Sequence, residues 1–595
     1  MSMLLRCRLV CIGLVCLLIA TFVAPKPSSA QTPSVFYGHW PYTFKTPINL
    51  NSFANDGYPN VLGIYADLIE LPSAYYVWAM NDYNGLAAQF TGFDTQSLYS
   101  ITLLPGVKWS DGTPMTSRDL VATYAILRLR NAPEYHYIEE VTARDERTVE
   151  FKLKFSSDIA ERLMLKTRIR PAAIYGEIAD AVIALLAEGN NLELYQTNKL
   201  QATAAWKALV KQLADLRPTQ VLASGPYMLD PADITETQVT LRKNPNSVFA
   251  DKAKFDTVVL FRGNGEKMLA KLQAGELTYS HDTYLPDQEA AFEQQGYTIL
   301  RTPTYAGPAL FFNHDRYPLG HLEVRQAIAY VLDRAKISET AFGKSAAPIK
   351  SPTGLSDLLL PLWEKYSGDT TALDKLNPYA VDVDKATELL TTAGFTQKNK
   401  QWIDDQGDPF TLRIGFPGEV PRYLNVAQEI AAELSAFGIK TVAEGVSSTD
   451  LLKATSAGRF DLTLWTWGVI GNPFPYTIYR NQFYSLNAPG LNNQPGIDFP
   501  LEQTVNGETV DIAALITSMD SDIGIPAQGA VVMKLSQTYN DLLPILPIAE
   551  RYTNSPLLTS KLTGVPNSDN SIFLNAYSAD NYVILWLMLG VIGPT

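Results

Sequence analysis

Leu104-Pro-Gly-Val-Lys-Trp-Ser-Asp-Gly-Thr-Pro-Met-Thr-Ser-Arg-Asp-Leu120 holds a turn, a helix cap and the start of a helix in one short run. Just upstream, Ser100-Ile101-Thr102-Leu103 alternates polar and apolar side chains, the period of a strand with one buried face. Asp111-Gly112 is a tight-turn pair, because glycine accepts the positive φ such turns need. Thr116 precedes Asp119 by three residues, which predicts a capping box and a helix reaching about Arg130. Strand, turn and capped helix in quick succession point to a mixed α/β chain.

The same alternation continues outward. Val324, Ile328, Val331 and Leu332 recur at helical spacing and predict one amphipathic helix over residues 323–336. Residues 385–393 read as a helix, capped by Asp382 or Asp384 and stopped by Gly394. Another helix, over residues 424–436, ends at Phe437-Gly438, and a strand resumes at Ile439. A further strand begins at Phe460 and ends in Trp465-Thr466-Trp467-Gly468. The apolar run over residues 582–592 is short of the roughly 18–20 residues a membrane span needs, so it reads as a buried terminal element. The chain carries no tandem repeat or heptad pattern, which speaks for α/β lobes rather than a solenoid or coiled coil.

The N-terminus has a different character. Arg6 and Arg8 precede an uncharged run from Leu9 to Ala24, Pro25 ends that run, and Ser28-Ser29-Ala30 supplies small residues for cleavage. Residues 1–30 are therefore expected to be a removed signal peptide, with the mature chain starting at Gln31. All three cysteines (Cys7, Cys11 and Cys16) lie within it, so the mature chain has no disulfide or thiolate chemistry. None of them is placed for lipid attachment. The expectation is a periplasmic or extracellular protein without a lipid anchor. No acid and three bases fall within residues 1–30, leaving 61 acids against 45 bases beyond it. That acidic balance argues against nucleic acid or an anionic membrane as partner.

Catalytic signatures are missing. The sequence has no G-x-S-x-G elbow, H-E-x-x-H pair or phosphate-binding loop. Its five histidines (His39, His136, His281, His314 and His321) are scattered. Composition alone leaves open a secreted hydrolase built on two carboxylates.

Seven short motifs, in order, carry a family resemblance. They are the segment Leu104–Leu120, Ser224-Gly225-Pro226-Tyr227, Asn244-Pro245, Leu272-Gln273-Ala274-Gly275-Glu276, Val324-Arg325-Gln326-Ala327-Ile328 continuing to Asp333-Arg334, the helix ending near Phe395, and Gly438-Ile439. Together, over about residues 47–560, the chain resembles the family 5 extracellular solute-binding proteins, the dipeptide, oligopeptide and nickel receptors of ABC importers. The resemblance implies a two-lobed α/β fold of the periplasmic-binding-protein type (type II, cluster C-like) with an extra domain inserted in the N-terminal lobe. The N-terminal lobe would take residues 31–75, 215–308 and 551–595, the insert 76–214 and the second lobe 309–550. It further implies a monomeric, non-catalytic receptor without a cofactor, closing on a small-molecule ligand and delivering it to ABC permease subunits. Crossover strands are expected near residues 305–313 and 547–552.

The resemblance also directs attention to one loop. The family's peptide receptors present an Asp there, four positions before a proline, to pair with the ligand's α-ammonium. In Trp467-Gly-Val-Ile-Gly-Asn-Pro473 the matching residue is Val469, which cannot do so. Trp465, Trp467, Asn472 and Phe474 instead offer aromatic faces and a side-chain amide, suited to a peptide or to a sugar ring. Asp56 and Tyr58 are further candidates. An oligopeptide-like solute is the family's default, an oligosaccharide the alternative. A nickel or haem chelate is a third reading that no His or Cys cluster favours.

Overall fold

In the computed structural model the described residues are 33–595, except 42–46, 95–96, 264, 485–486, 488–497, 506 and 522–523. The expected signal peptide, its cysteines and Gln31 lie outside them. From Ser34 onward the chain forms one compact unit.

The stretch that opened the sequence reading folds as its chemistry dictates. The strand Leu98–Leu103 pairs antiparallel with Ala88–Phe90 and with Thr148–Leu153 inside a four-stranded sheet. Gly112 sits at φ +88°, and Asp111 Oδ1 accepts from the Thr113 amide at 2.9 Å to hold the turn. The helix Ser117–Leu129 follows, with the Asp119 carboxylate accepting from the Thr116 amide at 2.7 Å.

Two larger sheets organise the rest. A seven-stranded sheet runs in the order Thr298–Leu300, Ser555–Leu557, Tyr279–Ser280, Val35–His39, Thr257–Phe261, Gln238–Lys243, Tyr227–Ile234. It thus gathers strands from both ends of the chain. A five-stranded sheet runs Lys440–Val446, Thr411–Pro417, Leu462–Gly468, Ala306–Phe312, Ile545–Pro547. Its apolar side chains feed two cores, one on each face. Leu462, Leu464 and Ile414 pack with the helices Leu322–Val331 and Pro421–Phe437, while Phe311, Trp467 and Ile545 pack with Pro475–Tyr484 and Ile525–Leu542.

Two local readings change in the structure. The helix expected over residues 323–336 is two helices, Leu322–Val331 and Arg334–Phe342. Leu332 is extended, and Asp333 caps the second helix by accepting from the Lys336 amide at 3.0 Å, an alternative the apolar spacing conceals. The first crossover also starts earlier than expected, because Ala306–Phe312 is already paired along its length with Leu462–Gly468. The chain passes between the sheets in residues 301–305 and 548–554. These two segments run side by side: the Thr304 amide donates to the Arg551 carbonyl at 2.9 Å and the Thr553 amide to the Thr302 carbonyl at 2.8 Å.

Arg325 is structural, as its position on a helix suggests. Buried, it donates to the carbonyls of Leu319, Gly320, Leu542 and Leu543 at 2.8–3.2 Å, tying two helix ends together.

Candidate ligand site

The strand Leu462–Gly468 sets the geometry of one wall. Side chains two apart share a face of a strand, so Trp465 and Trp467 both turn toward the second of the two cores. Trp467 is fully buried, and its Nε1 donates to the Ala549 carbonyl at 3.0 Å. The sequence reading offered it as a ligand platform; in this conformation it is a fixed part of the crossover instead. Trp465 is half-buried at the edge of the same core. Thr466 faces the other way and meets the Tyr423 hydroxyl.

Beyond Gly468 the loop leaves its own lobe. Gly471 has φ +89°, and a Cβ there would lie 2.4 Å from Ser578 Oγ. Its carbonyl accepts from Arg162 Nη2 at 3.4 Å, and Arg162 is itself held by Asp580 at 2.6 Å. Phe474 packs on Trp78 and Tyr76, with ring centroids 5.1 and 5.6 Å apart. Asn472 and Phe474 thus border a junction of three parts of the chain. Val469 packs against the second core.

Asp56 and Tyr58 are not part of this junction. Asp56 is exposed and accepts from Asn49 Nδ2 at 2.9 Å. Tyr58 is buried, and burial together with the Glu70 carboxylate pushes its hydroxyl well above the ordinary phenol range. Its neighbours Tyr175 and Arg170 are not part of the five-stranded sheet.

A second cluster, aromatic and charged, lies elsewhere, in residues that no sequence motif marks. Trp40 stacks on His281 at 4.9 Å, and His281 meets Tyr577 at 4.8 Å. Burial, with His39 nearby, lowers His281 to about 3, so this imidazole stays neutral. Facing them is Arg422, in the first turn of the helix Pro421–Phe437. Burial lowers it to about 9, assisted by the charge of Arg551 and opposed by Tyr423, Asp282 and Tyr577. Burial raises the Asp282 carboxyl, which feels His39 and Arg422 from the other side. Arg551 comes from the crossover. Among the described residues neither Arg422 nor Arg551 forms an ion pair within 4 Å, and Arg551 Nε is buried without a hydrogen-bond partner. Asn472 Oδ1 and Trp78 Nε1 are buried and unpartnered too. The crossover, the loop after Gly468 and the segment around Trp78 therefore hold one acceptor and two donors unsatisfied, an arrangement expensive to leave unmade. No signal in the one-dimensional pattern marks Trp40, Asp282, Arg422, Arg551 or Tyr577, because each is brought in from a separate segment.

Among the described residues no cluster of His, Cys, Asp and Glu could hold a metal ion, and no helix is long and apolar enough to cross a membrane.

Two α/β lobes joined by adjacent crossovers, with aromatic and cationic groups converging between them, define a solute-binding protein of the venus-flytrap kind. The chain belongs to the bacterial extracellular solute-binding proteins, family 5, whose model matches residues 83–490. It is 24% identical over 531 residues to a probable ABC transporter-binding protein of Deinococcus radiodurans, covering 80% of this chain and 79% of that one. It is 21% identical over 417 residues to the probable D,D-dipeptide-binding periplasmic protein of Escherichia coli K12, covering 68% and 69%. Among solved structures, the periplasmic oligopeptide-binding protein of a Thermotoga maritima oligopeptide ABC transporter superposes with a TM-score of 0.73 at 20% identity, covering 94% of this chain and 99% of that one. The same protein bound to mannohexaose gives 0.65 at 19% identity, covering 95% and 99%.

Proposed function

We propose that this protein captures an oligopeptide-like solute between its lobes and presents it to the permease of an ABC importer, without catalysing a reaction on it. The observation carrying the ligand class is the pair Arg422 and Arg551: Arg422 is desolvated and repelled by Arg551, Asp282 offsets this only in part, Arg551 Nε is buried without a partner, and among the described residues neither arginine forms an ion pair within 4 Å. Two such cations are stabilised when an anionic group of a ligand enters between them. A peptide's terminal carboxylate fits that role, and the oligopeptide-binding name of the Thermotoga maritima protein agrees with it. Val469 in place of an acid predicts that a free α-ammonium contributes little. On this reading the inserted segment, the split N-terminal lobe and the second lobe keep the boundaries given from sequence, and export places the receptor outside the cytoplasm.

Calorimetry with a free peptide, its N-acetyl form and its C-terminal amide tests the proposal. N-acetylation should change affinity less than about threefold. Amidation, or Arg422→Gln, should weaken it about ten- to a hundredfold, the loss of one charged hydrogen bond of roughly 1.5–3 kcal/mol. Binding abolished by N-acetylation would instead assign the ammonium to another acid, with Asp282 the first to mutate. A second reading rests on the Trp40–His281–Tyr577 stack, whose flat faces suit sugar rings; the mannohexaose bound to the Thermotoga maritima protein gives it a precedent. Mannohexaose binding lost in Trp40→Ala, with no peptide binding, would put that reading first.

A further inference from the structure

A cavity of about 600 Å³ lined by residues between Arg128 and Asn198 shares none of them with the cluster of Trp40, His281, Asp282, Arg422, Arg551 and Tyr577. Arg128, on the helix Ser117–Leu129, lies between two rings, its guanidinium carbon 5.2 Å from the centroid of Tyr135 and 4.8 Å from that of Tyr195. Both rings lie within cation–π distance of the guanidinium, whose N–H groups all donate in its own plane. Arg128 Nε is buried with no hydrogen-bond partner, and among the described residues no carboxylate pairs with this arginine.

A second cation lines the same cavity. Lys154 Nζ donates to the carbonyls of Tyr135 and His136 at 2.9 and 3.1 Å, which leaves one of its three N–H groups unused. Burial lowers its pKa, and the charge of Arg128 adds to that. The one lining acid, Glu139, is engaged by Lys152 at 3.1 Å. Glu139 offsets part of the repulsion between the two cations, and an anion held by both would relieve the rest. In a chain whose formal net charge is −13 this is a local inversion of sign.

We propose that this cavity is a second binding pocket, separate from the interlobe cleft, for a small organic carboxylate with an apolar or aromatic body. The donor set selects the anion. An edge-on guanidinium and one ammonium N–H match the two oxygens of a planar carboxylate. The apolar part of the lining favours an anion that carries an apolar body over inorganic phosphate. Tyr135, Tyr195, Pro133 and Ile138 supply the apolar wall for the rest of the molecule, and the volume is that of an ordinary small-molecule site.

The test uses the full mature chain and 3-phenylpropionate as probe, with 3-phenylpropionamide and inorganic phosphate as comparisons, by calorimetry and ligand-observed NMR. The acid should bind at least tenfold more tightly than its amide and than phosphate. Arg128→Gln should abolish that binding, Lys154→Met should weaken it, and Arg422→Gln in the cleft should leave it unchanged. A thermal melt checks that each variant is folded, and should Arg128→Gln fail to fold, Lys154→Met carries the test. No binding of the acid, equal binding of the amide, or binding that survives both pocket substitutions would overturn the proposal. Loss of binding in Arg422→Gln would assign the probe to the cleft and overturn it as well.

Discussion

Glu550 shows what a single buried side chain can do at the crossover. It is almost fully buried, and both its oxygens lie 2.8 Å from Ser356 Oγ. Burial raises its pKa from 4.5 to about 8, with Asp357 adding to the shift and the Ser356 bond opposing it. Between those values the folded protein keeps a proton that the unfolded chain has released. Its contribution to stability is therefore full below about pH 4.5 and is lost as pH rises to about 8. Glu550→Gln mimics the protonated form. Its melting temperature should match the wild type near pH 5 and exceed it by several degrees near pH 9; parallel curves across the range would refute this account. Glu550 shows nothing of this in the sequence, where it is one acid among 61. The same is true of Arg422 and Asp282. A residue's burial and its charged neighbours are properties of the fold, and only residues whose role is local, such as Gly112 or Asp119, announce it in the string.

At the scale of the element, the local signals carried far. The turn at Asp111-Gly112, the box at Thr116 and Asp119, and the stop at Gly394, with φ +91°, are all chemistry between near neighbours. What failed was the reading of length and of partner. The apolar spacing through Leu332 did not reveal the cap at Asp333, and the two tryptophans ending a strand gave no hint that one was bonded to Ala549. Gly307 shows how tight that crossing is, since a Cβ there would lie 1.9 Å from the Ala549 carbonyl oxygen. Gly307→Ala should push the strand Ala306–Phe312 away from the second crossover, strain the Trp467–Ala549 bond and destabilise the protein by about 1–3 kcal/mol or more. Gly92→Ala, where nothing lies within 4 Å, is the control and should be nearly neutral. Equal urea midpoints for the two variants would show that the crossover can relax.

Across the whole molecule, the proposed closure is expected to rest on contacts between distant parts of the chain. Tyr137 donates its hydroxyl to Asp520 at 2.5 Å, and His136 Nε2 lies 3.1 Å from the other oxygen. These bonds join residues almost four hundred positions apart and form only when the parts meet. Asp520→Ala should leave each lobe folded but weaken solute binding about five- to thirtyfold, for the ~1–2 kcal/mol of a buried hydrogen bond. Small-angle scattering should show the wild type more compact with peptide than without, and the variant less so at equal peptide concentration. An unchanged radius in the wild type would remove hinge closure from the mechanism. The seven-stranded sheet has a different consequence. Ser555–Leu557 lies between Thr298–Leu300 and Tyr279–Ser280, in the interior of the order rather than at an edge. A nascent chain leaving the ribosome therefore lacks an inner strand of this sheet until Ser555–Leu557 has been made. Thr298–Leu300, made more than 250 residues earlier, must wait for that partner.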